Sequence, residues 1–276
     1  MTLKTLLDDR FAPLTWEIGF LRCSLERVVE ACEEWLNSRA DLEIRRARGS
    51  LEHDLLPSLL PLTQWGRYRK LLVPIGEWVA FFDSDYTGGD YGGSIDTIGR
   101  IIGCQTMLAA SKPYIDSRVT SQRGLGGIEF RWKQPGNVIR YIQLNEDSPR
   151  WEIHFGGEPQ PFEEPERYTA RRLRDRFDSG MLERYCQAIG IDVFNPDAYG
   201  PEGVIVDISK RRPDYVDPAQ TWLLNSWKHT AEVDIAEGRE PTPLPLPSGK
   251  PPRLFTLAES QAYMGVVPGI PSTLPG

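Results

Sequence analysis

The stretch from Ile128 to Phe155 constrains the fold of this chain more than any other. Ile128-Glu-Phe-Arg-Trp-Lys133 alternates apolar and polar side chains, Gln134-Pro-Gly-Asn137 supplies a turn, and Val138-Ile-Arg-Tyr-Ile-Gln-Leu144 follows. Asn145-Glu-Asp-Ser-Pro149 turns the chain again before Arg150-Trp-Glu-Ile-His-Phe155 resumes the alternation. A period of two between turn signals suits strands with one buried and one polar face, so these residues predict a three-stranded antiparallel meander. A meander must bury its apolar face against another layer, which commits the chain to a sheet with helices packed on it.

The remaining periodicities fill in that architecture. Ile18, Leu21, Leu25, Val28, Cys32 and Trp35 recur at gaps of three and four, predicting a helix from about Thr15 to Asn37 that lies across the sheet. Residues 41–62 read as one or two strands, because Leu42-Glu-Ile-Arg-Arg alternates while Pro57 and Pro61 break any helix. Lys70-Leu-Leu-Val-Pro-Ile-Gly-Glu-Trp-Val-Ala-Phe-Phe-Asp83 reads as a hairpin turning at Pro74-Ile-Gly76. Ser94 then caps a short helix ended by Gly103, and Thr106 to Ala110 forms a strand, a strand–helix–strand unit that places two parallel strands in an otherwise antiparallel sheet. Helices are expected at 165–177 and 180–189, a strand at 203–208, and a capped helix at 217–237 burying Trp222, Leu223, Trp227, Ala231 and Ile235. The fold class is therefore α+β, a mainly antiparallel twisted sheet of about six to eight strands packed by helices. Its single domain is expected to span residues 1–238, followed by an extended Pro-rich C-terminal tail, 239–276, that straps across the domain, stands free of it or serves as a Pro-rich ligand.

Composition narrows the function classes. The net charge of −7 opposes a general nucleic-acid binder, which holds phosphate through excess Lys and Arg, and favours a basic protein partner. No apolar run is long enough to span a membrane and the first residues lack a signal-peptide core, so a cytoplasmic protein is expected. Cys23, Cys32, Cys104 and Cys186 are scattered without metal-ligand spacing and read as reduced core residues. His53, His154 and His229 have no nucleophile motif around them, and His154 alternates with Trp151, Ile153 and Phe155 onto the polar face of the meander. No catalytic residue, metal set or cofactor motif emerges.

The most unusual segment is Asp83-Ser-Asp-Tyr-Thr-Gly-Gly-Asp-Tyr-Gly-Gly-Ser-Ile-Asp96, which leads from a strand into a helix. Asp83, Asp85 and Gly88 echo a calcium loop, but Ser94 stands where the bidentate Glu belongs. Its glycines and helix N-terminus suggest a phosphate cradle, but the Walker lysine is missing and acids crowd the place of the phosphate. Two readings stay open: an acidic connector that needs Gly for its backbone, or a recognition loop in which Tyr86 and Tyr91 supply contact area and Asp83, Asp85 and Asp90 meet a basic partner. Trp65, in the irregular Gln64-Trp-Gly-Arg67 stretch, joins them as a candidate contact residue. An alternative is a small-molecule enzyme or ligand-binding protein with a pocket at the same loop, with Glu77 and Asp83 as candidate paired carboxylates. Arg167, Arg171, Arg172, Arg174 and Arg176 are interleaved with acids and read as a solvated, salt-bridged surface.

Glu77-Trp-Val-Ala-Phe-Phe-Asp-Ser-Asp-Tyr-Thr-Gly-Gly-Asp90, with the short helix after it and Gly103-Cys-Gln-Thr-Met107, resembles uncharacterised bacterial proteins of the polymorphic-toxin immunity type. The resemblance covers residues 70–112 and carries no catalytic signature. It implies a cytosolic protein that neutralises a toxin domain by binding it.

Overall fold

The computed structural model describes residues 3–37, 40–64, 68–88, 91–113, 126–147, 150–211, 235, 236, 238 and 253–266. Among the described residues eleven strands form, in chain order: β1 (Glu17–Leu21), β2 (Ala40–Arg48), β3 (Leu62–Gln64), β4 (Tyr68–Ile75), β5 (Trp78–Asp83), β6 (Thr106–Lys112), β7 (Gly127–Gln134), β8 (Asn137–Asp147), β9 (Arg150–Gly156), β10 (Glu202–Arg211) and β11 (Arg253–Phe255). Nine of them build one sheet in the order β2-β10-β4-β5-β1-β6-β7-β8-β9, and β11 pairs with β3 in a small second sheet. Every neighbouring pair in the large sheet is antiparallel.

Two apolar layers sandwich the sheet. On one side α1 (Leu25–Leu36) and α2 (Tyr91–Ile102) set Leu25, Val28, Cys32, Leu36, Ile95 and Ile98 against Leu21, Leu72, Phe81, Leu108 and Val206. On the other side the N-terminal segment, the short helical turns at 51–59 and α3 (Ser179–Ala188) cover Phe20, Val73, Phe82, Phe130 and Ile142 with Leu6, Leu14, Leu55, Met181 and Tyr185. Asp178 caps α3 by accepting a hydrogen bond from the Met181 amide.

The meander, the 70–83 hairpin, the strand at 203–208 and α3 match the sequence reading. The strand count is corrected to nine in the main sheet, from six to eight, chiefly because β1 reads as helix in the sequence. The expected helix at 15–37 is two elements: β1, and α1 beginning after Ser24. All five residues of β1 are buried, and a strand buried on both faces has no alternation to betray it. β1 also lies between β5 and β6, so the strand–helix–strand unit does not place two parallel strands side by side. α2 starts at Tyr91, ahead of Ser94. The helix expected at 165–177 is replaced by two 3-10 turns, Pro165–Thr169 and Leu173–Asp175, since no apolar stripe holds that Arg-rich stretch as an α-helix.

The expected 217–237 helix lies outside the described residues except at 235 and 236. Within the segment read as a tail, residues 253–266 form β11 and a short helix, α4 (Leu257–Tyr263), closed by a capping box between Thr256 and Glu259. The Pro-dense stretches on either side lie outside the described residues. Among the described residues no helix is long and apolar enough to cross a membrane.

Candidate functional site

The 83–88 loop is built by hydrogen bonds turned inward. Asp83 ends β5 opposite Lys70, and the two side chains form an ion pair at 11% and 8% exposure. The other Asp83 oxygen accepts the Asp85 amide at 3.0 Å, and Asp85 accepts both the amide and the hydroxyl of Thr87, at 2.8 and 2.6 Å. Burial raises the Asp85 pKa, and the charge of Asp83 adds to the shift against the two Thr87 bonds, which oppose it. Gly88 takes φ +95, where a side chain would strike Pro13, so the turn needs glycine.

Tyr86 is covered by the C-terminal segment. Its ring stacks on Phe255 at 4.5 Å and meets Tyr263 at 5.2 Å, while the Ser260 hydroxyl donates to its carbonyl oxygen at 2.6 Å. Burial, then the hydrogen bond and charge of Tyr263, push the Tyr86 hydroxyl up to about 12. The residues proposed from sequence as contacts are thus placed unevenly. Asp83 is buried, Asp85 and Tyr86 are half-buried, Tyr91 begins α2, and Trp65 and Asp90 lie outside the described residues. Glu77, the other carboxylate considered, sits in the hairpin turn with Arg22 at 2.7 Å and its side chain 76% exposed, away from Asp83 at the far end of β5.

The Lys70–Asp83 pair opens a longer polar row. Strand register aligns Val206, Lys70 and Asp83 on one side, and Glu17, Ala110, Glu129, Gln143 and His154 on the other. The β1–β5 register, carried two residues beyond Gly19↔Phe81, sets Glu17 opposite Asp83 and joins the two halves. All of these side chains point to the α1/α2 side of the sheet, because paired residues of an antiparallel sheet share a face. Glu17 is buried and pairs with Lys112. Beyond β6 the row becomes progressively more open: Gln143 donates to Glu129 at 3.3 Å, Tyr141 donates to Gln143, and His154 faces Glu152 at 3.3 Å with its side chain 49% exposed. Burial beside Glu129 raises the Tyr141 pKa.

A groove of about 260 Å³ continues this face along the flank of α2, between Asp96, Gly99, Arg100 and Cys104 on one wall and Lys133 to Val138 on the other. Lys133 spans it to Asp96 at 2.5 Å, Thr106 donates to Asp96 at 3.4 Å, and Val138 stands 40% exposed at the rim. The face therefore combines strand-borne polar groups with a shallow groove and an apolar residue at its rim. Among the described residues no three His, Cys, Asp or Glu side chains gather as a metal site.

Comparison with known proteins finds no family model, no curated protein and no solved structure that matches this chain.

Sequence reasoning missed Glu17, Glu129, Gln143 and Lys133 as one surface, because register between strands distant in sequence aligns them. Lys70 was only partly legible: the hairpin was predicted, but with its turn at Pro74-Ile-Gly76, which sets Lys70 against Ala80, whereas the turn forms at Gly76-Glu77 and sets it against Asp83.

Proposed function

We propose that the protein is a non-catalytic binding protein that neutralises a basic toxin domain by direct contact, and that it docks through the helix-side face of β7–β9 and the adjoining groove. The observation that carries this is the hydrogen-bonded lattice of Glu129, Arg131, Tyr141 and Gln143 running into the Asp96–Lys133 groove. Side chains held by one another on strands are pre-organised, so binding orders little that is not already ordered. The basic character of the partner follows from the net charge of −7 and from the exposed ridge of Glu26, Glu30 and Glu34 on α1, beside α2. The toxin class follows from the resemblance of residues 70–112. The acids of the 83–88 loop serve this reading as its frame: they are spent on Lys70, on Thr87 and on backbone amides. A second reading, a ligand pocket at the loop, draws on the buried carboxylates of Asp83 and Glu17 on neighbouring strands, each with its own lysine.

The test uses the full chain as bait in low-salt lysate of its native host, with the triple variant Arg131→Glu, Tyr141→Ala, Val138→Asp as control. A stoichiometric basic protein that the folded variant no longer retains, and that added salt releases from the native chain, supports the proposal. Equal retention by both chains overturns the assigned surface. A bound small molecule that is lost on Asp83→Asn favours the pocket reading.

A further inference from the structure

We propose that Cys23 and Cys104 are a redox pair that closes to a disulfide on exposure to a peroxide-class oxidant. The backbone sets the two residues face to face. Leu21 pairs with Thr106 in the β1–β6 ladder, and the Arg22 amide extends the ladder by donating to the Gln105 carbonyl at 2.9 Å. The next position brings Cys23 opposite Cys104. The paired ladder ends at Leu21 and Thr106 and a single bond joins Arg22 to Gln105, so the cysteines stand one step past it, at what a continued ladder makes a non-hydrogen-bonded position, where facing Cα atoms lie about 4.5 Å apart. That separation is within the roughly 4.4–6.8 Å that a disulfide spans. β1 ends in a tight turn here, with the Cys23 amide donating to the Leu21 carbonyl at 3.0 Å, so Cys23 sits at a hinge between strand and helix that can adjust to the bond.

Side-chain placement agrees with the backbone. Both cysteines pack against the same apolar cluster, the one beneath α1 and α2, and both are half-buried, whereas Cys32 and Cys186 are sealed in the two cores. Burial pushes the Cys104 thiol up to about 11, and the charge of Cys23 is the next largest cause, as expected for neighbours.

The chemistry balances with one peroxide. One thiol sulfur attacks a peroxide oxygen, the O–O bond breaks, water leaves and a sulfenic acid remains. The second thiol attacks that sulfur, the S–S bond forms, the S–O bond breaks and a second water leaves. Two thiols give up two electrons and two protons, and hydrogen peroxide is reduced to two waters. The link ties the residue before the Ser24 cap of α1 to the residue after Gly103, which ends α2, and so pins both helices at one end. Cys104 lines the groove beside α2, so the bond forms in the wall of that groove.

The experiment treats the folded full chain with excess hydrogen peroxide, counts thiols after unfolding, and maps peptides without reduction. The expected result is loss of two of the four thiols, a linked peptide carrying Cys23 and Cys104 that is two hydrogens lighter than its parts, and full reversal by dithiothreitol. In Cys104→Ser, checked for native circular dichroism, Cys23 is expected to be trapped as a sulfenic acid by dimedone, whereas in Cys23→Ser the raised Cys104 thiol is expected to react more slowly. Recovery of Cys23 and Cys104 as separate sulfinic acids, as links between two chains, or as untouched thiols overturns the proposal.

Discussion

Replacing Glu163 by alanine tests how the 157–170 segment is fastened to the meander. Glu163 is fully buried and grips Arg140, itself 3% exposed, in a two-pronged ion pair at 2.7 and 2.8 Å. It also accepts the Gln160 amide at 2.8 Å and the Tyr168 hydroxyl at 2.6 Å, while the remaining Arg140 nitrogen donates to the Gly157 and Gly156 carbonyls at 2.8 and 3.3 Å. Glu163→Ala leaves a guanidinium in the interior with two carbonyls and no counter-charge. Removing one member of such a pair costs about 3–5 kcal/mol. With a urea m-value of about 3 kcal/mol per molar, the unfolding midpoint falls by roughly 1–1.7 M. The pair itself contributes far less than that figure, because both charges were stripped of water to form it. Replacing both, as Arg140→Met with Glu163→Leu, is therefore expected to cost much less than the sum of the two single losses, with a coupling of about 2 kcal/mol or more. A loss below about 1 kcal/mol in Glu163→Ala, or additive single losses, would refute the reasoning.

Three further outcomes are expected. Asp83→Ala strands Lys70 in the interior and is expected to lower stability by about 3 kcal/mol in the same urea assay, and an unchanged midpoint would remove Asp83 from the frame of the loop. Asp85 has a folded pKa raised above its unfolded value, so it supports folding best below the unfolded value near 3.9 and loses that support as pH rises through the raised folded pKa. Asp85→Asn keeps an acceptor for Thr87 and is therefore expected to gain melting temperature over the native chain as pH climbs from 3 to 7, with no gain at the acid end; a gain independent of pH refutes the assignment. Phe255→Ala empties a 3% exposed position against Tyr86 and is expected to cost about 3–5 kcal/mol by urea unfolding, whereas a loss under 1 kcal/mol would mean that the C-terminal segment adds nothing to the domain.

The sequence by itself determined the elements whose periodicity is local. Alternation and turn residues specified β7, β8 and β9, the 70–83 hairpin located β4 and β5, and the helix expected at 180–189 located α3. Where an element is buried on both faces the local signal fails, and β1 was absorbed into the spacing of α1. The loop at 83–88 was legible as unusual, but whether its acids faced solvent depended on Lys70 and Thr87, and whether Tyr86 did depended on Phe255 and Tyr263 from the far end of the chain. The polar row from Lys70 to His154 and the meeting of Cys23 with Cys104 were decided only by tertiary structure. Side-chain periodicity records which face of its own strand a residue occupies, whereas rank alignment across nine strands is set by how the two cores close over the sheet, a non-local choice that no short window of sequence contains.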